Sequence, residues 1–122
     1  MKSRDTLMRL KRFQLEEKRR RVRQIETMLA ELARMSTELD REIANEEKRA
    51  GISDPHHFAY PTYARAASVR RDNLNSSITE LEAQIEEARA AQAEAEAELV
   101  KFESMEVRDK AGDRSPEAVA RA

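Results

Sequence analysis

The chain has very little of what a cross-linked scaffold or a compact globular core needs. Its 122 residues include no cysteine, no tryptophan, two glycines, three prolines, three phenylalanines and two tyrosines. Without cysteine there is no disulfide framework, thiolate metal site or cysteine nucleophile. Long apolar runs are also missing, because charged residues interrupt the segment 1–23 at short intervals. We therefore expect neither a signal peptide nor a membrane span there, and a cytoplasmic protein without direct membrane insertion.

Charge is what the sequence has in abundance, and its two signs are segregated. Charged residues make up 39% of the chain and hydrophobic residues another 39%, which is typical of long solvated helices. The formal net charge of −1 argues against broad nucleic-acid binding. Residues 1–23 hold ten Lys and Arg against three acids, whereas residues 80–106 hold nine Glu against two bases. Folding the chain back on itself would pair these segments and favour this arrangement over a parallel dimer.

Apolar residues recur at alternating steps of three and four in the first half of the chain. The two resulting seam series, a and d of a heptad, are Leu15, Val22, Leu29, Ser36, Ile43, Ala50 and Lys18, Ile25, Leu32, Leu39, Glu46. This period predicts a helix that supercoils with a partner. Leu7, Leu10 and Phe13 lie off the seam that Leu15 defines. Either the coil changes register before Leu15, or these three residues form a second apolar face.

A segment containing glycine and proline divides the chain into two halves of similar length. Gly51 is placed to end the first helix in a left-handed conformation, and Pro61 to open the second. The second half carries its own heptads, with d series Ala67, Leu74, Leu81, Ala88, Ala95, Phe102 and a series Arg71, Ile78, Ile85, Gln92, Leu99, Glu106. Folding about residue 56 sets Leu39 opposite Leu74 and Leu32 opposite Leu81.

The predicted fold is therefore all-α, a long antiparallel two-helix coiled-coil hairpin. We expect the first helix over about 3–50, a tip over 51–61, and the second helix over about 62–108. The polar residues 73–77 form helix poorly and predict a bend or fraying there. Residues 109–122 lose the heptad period, so we expect a disordered tail.

Two clusters suggest chemistry, and a plainer interpretation is favoured for each. The basic run 18–23 precedes a heptad stretch, as in zipper transcription factors, but the residues upstream lack the base-reading types, which favours a solvated face. His56 and His57 with Asp54 offer metal-ligand chemistry without a third strong ligand nearby. No phosphate loop or catalytic triad is present, and a two-helix hairpin has no deep pocket. We predict a non-enzyme without cofactor or metal that binds no nucleic acid.

Aromatic residues concentrate at the tip. Phe58, Tyr60 and Tyr63 fall within six residues, and aromatics serve both as plugs that close a hairpin and as anchors at interfaces. We expect Phe58 to be the plug. Both roles stay open for Tyr60 and Tyr63, since each has a polar end that tolerates water.

Specific segments resemble the flagellar export protein FliJ family in its alphaproteobacterial form. They are KSRDTL and RLKRF within residues 2–13, the tip AGISDPHHFAYPTY at 50–63, and RRDNL at 70–74. The resemblance spans residues 2–108. It implies a component of the flagellar type III export apparatus, located in the cytoplasm and peripherally associated with the inner membrane. By that resemblance the chain would act as a stalk in the hexameric export ATPase, promote ring assembly, link the ring to the export gate and contact export chaperones.

The same resemblance suggests which residues meet each partner. For the export ATPase hexamer it points to the joined terminal ends: Leu7, Leu10, Phe13, Arg19, Arg20, Phe102 and Met105. For the cytoplasmic domain of the membrane export gate it points to Tyr60, Tyr63, Ala66, Ala67 and Arg70. The alternative from another class is a homodimeric coiled-coil scaffold or adaptor without a transport role.

Overall fold

The computed structural model describes residues 2–113, and the regular structure in this range is entirely helical. Helix α1 runs over Lys2–Ala50 and helix α2 over Thr62–Asp113. The two helices pack against each other, and no strand occurs among the described residues. The predicted all-α, two-helix fold is confirmed. Neither helix has a stretch long and apolar enough to cross a membrane.

Helix α2 extends five residues past the end that the heptad period suggested. The prediction ended the helix at residue 108, but it continues through Asp113. Loss of the heptad pattern removes seam contacts but leaves the backbone hydrogen bonds of the helix intact, and a local ion pair supports the end of the helix. Lys110 Nζ lies 3.3 Å from Glu106 Oε1, one turn earlier. The rest of the expected tail, residues 114–122, lies outside the described residues.

The polar stretch 73–77 does not interrupt α2 either. Every residue in it is helical. Ser76 Oγ donates to the Asp72 carbonyl oxygen at 3.1 Å, a bond that satisfies the hydroxyl inside the helix. The expected fraying was therefore wrong, because packing on α1 outweighs weak intrinsic propensity.

Gly51 ends α1 as its sequence position predicts. Its φ is 71°, the left-handed region that glycine adopts without steric cost. The Ile52 N–H donates to the Glu47 carbonyl oxygen at 3.2 Å, the long backward bond of a Schellman cap. At the other end of the tip the Pro61 carbonyl accepts the Arg65 N–H at 3.1 Å, so Pro61 caps α2 and Thr62 begins it.

Contacts divide the chain into two compact units. Among the described residues, we call 2–22 with 87–113 the terminal unit and Arg23–Glu86 the loop unit. The loop unit contains the clearest core, closed by one aromatic ring from the tip. Its buried cluster consists of Leu39, Ile43, Tyr60, Ala64 and Ala67, with Ile52 and Leu74 packed against it. The contact of Leu74 with this cluster agrees with the predicted pairing across the seam.

A polar pair lies within the seam of the loop unit. Ser36 occupies a predicted a position and is buried at 8% exposure. Its hydroxyl donates to Asn75 Oδ1 on α2 at 2.8 Å. Arg71 Nη1 also reaches across to Asp40 Oδ1, at 3.1 Å. The buried Ser36–Asn75 pair costs some stability and helps to fix the register of the two helices, since a shift would leave both polar groups without partners.

In the terminal unit the buried residues follow one seam. Met8, Leu15 and Val22 are buried and lie seven residues apart. The a series therefore continues one heptad before Leu15, and no change of register is needed. Leu10 and Phe13 remain 48% and 62% exposed, which decides between the two interpretations in favour of a second apolar face.

Candidate docking surfaces

An open groove between the two helices of the terminal unit is the first candidate site. We call it the terminal groove; its volume is about 390 Å³. It is lined by Ser3, Arg4, Leu7, Met8, Phe102, Met105, Glu106 and Asp109. The structure thus brings together three of the residues predicted to contact a partner, Leu7, Phe102 and Met105, and adds Met8 as a buried wall.

Ionic contacts satisfy the charged side chains around this groove. Arg4 Nη1 lies 2.6 Å from Asp109 Oδ2. Lys11 Nζ lies 2.5 Å from Glu98 Oε1 and stands 5.3 Å from the centroid of the Phe102 ring. Both cations neutralise acids of α2, and Lys11 also lies over its aromatic ring. What the groove offers to a partner is therefore mainly apolar surface.

Leu10 and Phe13 belong to a neighbouring face and do not line the groove. Each residue turns a helix by about 100°, so Leu10 and Phe13 point progressively away from the side that Leu7 shares with α2. Both side chains are exposed. The predicted terminal contact is consequently made of two surfaces: the terminal groove, and an exposed face carrying Leu10 and Phe13.

Arg19 and Arg20 already have partners within the chain. Arg19 donates to Glu16 Oε1 at 2.7 Å and to Glu96 Oε1 at 3.5 Å, and the Glu16 hydrogen bond is the main cause that raises the pKa of Arg19. Arg20 Nη1 lies 2.9 Å from Glu17 Oε1. Neither arginine lines the terminal groove. Arg19 joins α1 to α2 at this point, which is a structural role.

Two of the five residues predicted for the tip contact are buried. Tyr60 is 6% exposed and Ala67 is 3% exposed, both within the core of the loop unit. The Arg65 guanidinium lies 5.5 Å from the centroid of the Tyr60 ring and covers it further. The tyrosine ring closes the end of the helix pair, so the structure places these two predicted contacts in the core and not on the surface.

The other three predicted tip residues remain on the surface. Tyr63, Ala66 and Arg70 are exposed on successive turns of α2. Tyr63 Oη donates to Glu42 Oε2 on α1 at 2.7 Å, and this hydrogen bond raises the pKa of Tyr63. The bond fixes the direction of a ring that is 54% exposed. We call Tyr63, Ala66 and Arg70 the tip face.

The sequence predicted that Phe58 would close the end of the hairpin, and this prediction is wrong. The side chain is 94% exposed, the highest value among the exposed large hydrophobic residues. Tyr60 fills the core position instead. Two short turns place Tyr60 in the core instead of Phe58. The His57 N–H donates to the Asp54 carbonyl at 3.0 Å, and the Tyr60 N–H donates to the His57 carbonyl at 3.1 Å. They direct one aromatic inward and leave the other on the outside of the tip.

The histidines of the tip have roles in the turn. His57 Nδ1 accepts the Ala59 N–H at 3.0 Å, and Asp54 Oδ1 accepts the His56 N–H at 2.9 Å. Across residues 2–113 no group of three or more side chains is placed to hold a metal ion.

The fold is a pair of long helices packed against each other, and each unit carries one candidate surface for a partner. Comparison with protein-family models, with curated proteins and with solved structures found no match to this chain. Sequence reasoning missed Met8 in the groove and Phe58 at the tip. The heptad spacing from Leu15 would have found Met8, whereas no pattern in the sequence separates Phe58 from Tyr60.

Proposed function

We propose that this chain is a non-enzymatic component of the flagellar type III export apparatus. It docks its terminal unit in the ring of the export ATPase, promotes assembly of that ring, and contacts the cytoplasmic domain of the membrane export gate through its tip. The FliJ-like segments within residues 2–108 motivate the choice of system. The terminal groove carries the proposal structurally, since it unites Leu7, Phe102 and Met105 in one apolar surface.

An open apolar groove beside an exposed apolar face is well suited to a protein partner. Grooves between helices accept apolar side chains or an amphipathic helix, and the gain comes from apolar area removed from water. Phe13 next to the groove adds an aromatic side chain, the type enriched among binding hot spots. A two-helix hairpin has a small core, so binding that buries this surface also stabilises the fold.

The tip face is the proposed contact with the export gate. Tyr63, Ala66 and Arg70 combine an oriented aromatic ring, a small residue and a cation on one side of α2. Tyr60 and Ala67 support this face from the core behind it. The FliJ resemblance further suggests contact with export chaperones and a location at the cytoplasmic side of the inner membrane.

The hydrolysis rate and oligomeric state of the organism's flagellar export ATPase test the proposal. The groove variant carries Leu7→Ala with Met105→Ala, and the face variant carries Leu10→Ala with Phe13→Ala. The matched control carries Val100→Ala with Val107→Ala, since these valines are 60% and 67% exposed in the same unit but do not line the groove. We expect the intact protein and the control to stimulate hydrolysis and hexamer formation. The groove variant should need about 10-fold more protein for the same effect.

Two outcomes would count against this function. An intact protein that leaves hydrolysis and ring assembly unchanged would discard the ATPase contact. If the protein alone then showed a concentration-dependent mass, a homodimeric scaffold would replace it as the function. Equal losses in the groove variant and the control would show that the groove is not the contact.

A further inference from the structure

Phe58 combines near-complete exposure with an ordered backbone. Most exposed apolar side chains in this chain lie on helices, where they share a face with polar neighbours. Phe58 instead stands at the outside of the tip, 94% exposed. Its only ring contact in the described structure is with His57, whose imidazole stacks on it with centroids 4.7 Å apart and planes at 22°. A large aromatic in this position gains more from a partner than any other side chain at the tip.

The turn that carries Phe58 is held on both sides. His57, the residue before Phe58, forms hydrogen bonds with both its backbone and its ring: its N–H donates to the Asp54 carbonyl, and its Nδ1 accepts the Ala59 N–H. Two residues later, Tyr60 is fixed in the core. Little conformational freedom of the backbone is left to lose on binding, which is the condition under which a single anchor contributes most to affinity.

The surroundings of Phe58 decide what kind of partner fits. Between Ile52 and Pro61 the only formally charged side chain is Asp54. One oxygen of Asp54 already accepts the His56 N–H. Attachment to an anionic membrane surface relies on several Lys or Arg and a broad apolar face, and this segment has neither. An apolar pocket in a folded protein needs one well-placed aromatic and no charge.

We propose that Phe58 is the anchor of the tip and inserts into a preformed apolar pocket of a protein partner. The identity of that partner rests on the proposed function, which makes it the cytoplasmic domain of the export gate. Tyr63 and Arg70 of the tip face then contact the rim of the same pocket. The contribution of Phe58 to binding depends only weakly on salt, because the inserted ring carries no charge.

The test is the affinity of the full-length chain for the purified cytoplasmic domain of the export gate. Phe58→Ala should weaken binding about 30-fold, as expected for removal of a buried phenyl ring, and Phe58→Leu should weaken it less. Ser53→Ala in the same segment is the control and should bind like the intact chain. Between about 0.05 M and about 0.5 M NaCl the ratio of the affinities of the intact chain and Phe58→Ala should change less than about threefold.

A stability measurement separates anchoring from folding. Phe58→Ala should leave the midpoint of thermal unfolding unchanged, since the ring is exposed. Tyr60→Ala should lower it by more than about 10 °C, because it removes the ring that closes the core. Gate binding by Phe58→Ala within about twofold of the intact chain would overturn the anchor.

If the intact chain does not bind the gate domain, the proposed gate contact fails. A second measurement then tests whether Phe58 is an anchor for another protein. Benzoylphenylalanine is then placed at position 58 in the native organism, with position 53 as control. Crosslinking from position 58 to one identified protein, mapped to an apolar pocket, supports the anchor with a different partner. The absence of any adduct would overturn the anchor. So would sedimentation with phosphatidylglycerol vesicles, or formation of a dimer, that Phe58→Ala abolishes.

Discussion

Lys11 illustrates how this chain uses a charged residue in an apolar seam. It lies at a d position, four residues before Leu15, and its side chain is only 19% exposed. The aliphatic stem packs between the helices while Nζ reaches Glu98 and the Phe102 ring. A lysine behaves in this way because its stem is apolar and its charge sits at the far end. The same residue therefore closes the seam and forms one edge of the surface beside the terminal groove.

Tyr63 carries a pH dependence that can be observed directly. Its hydrogen bond to Glu42, together with the carboxylate charge, disfavours the tyrosinate form and raises the pKa of Tyr63. We expect the Tyr63 signal in ¹³Cζ tyrosine NMR to titrate above the usual pKa of tyrosine. Glu42→Ala should lower that pKa, and Glu42→Gln should lower it less, because the amide still accepts a hydrogen bond without carrying charge.

The linkage fixes the pH window of this contact. A pKa that is higher in the folded state gives a contribution that is fully present below the pKa of tyrosine in the unfolded chain. That contribution is lost as the pH rises through the higher pKa of the folded state. A Tyr63 titration that does not change in Glu42→Ala would contradict the role of the hydrogen bond in orienting the ring.

At the scale of the elements, the two glycines allow a controlled test of how α1 ends. Gly51→Ala should destabilise the protein by about 1 kcal/mol, because its φ of 71° strains a residue with a Cβ although nothing lies within 4 Å of the added atom. Gly112→Ala is the control, since Gly112 also has open space but lies inside α2. The control should be neutral or slightly stabilising by helix propensity. Chemical denaturation measures both, and equal effects would exclude backbone strain as the cause.

The helices were predictable and the use of the tip aromatics was not. Heptad spacing predicts the seam from Leu15 to Ile43, and it extends to Met8 once the same step is taken backwards. Such patterns work because each position on a long helix has a fixed direction. At the tip no period applies. Which of Phe58 and Tyr60 turns inward depends on two backbone turns, whose hydrogen bonds are set by the fold around them.

At the scale of the whole molecule, segregated charge predicted which segments would pair. In the terminal unit four basic residues of α1 reach acids of α2: Arg4 to Asp109, Lys11 to Glu98, Arg12 to Glu103 and Arg19 to Glu96. The candidate surfaces were predicted less well, because periodicity shows which apolar residues share a helix face but not which of them are buried in the core. For that reason Tyr60 and Ala67 were predicted on the tip surface, whereas they lie in the core.

These four pairs predict a measurable effect of salt on the stability of the chain. Each pair is at least partly exposed and contributes on the order of 0.2–1 kcal/mol, which salt screens. Raising NaCl from about 0.05 M to about 1 M should therefore lower the midpoint of thermal unfolding by roughly 5–10 °C. The variant with Arg12→Gln and Arg19→Gln keeps polar side chains of similar helix propensity while removing two of the four pairs between the helices, so its midpoint should respond less to salt. Identical salt responses of the two proteins would mean that burial along the seam alone selects the pairing of α1 with α2, and that the segregation of charge serves the partner instead.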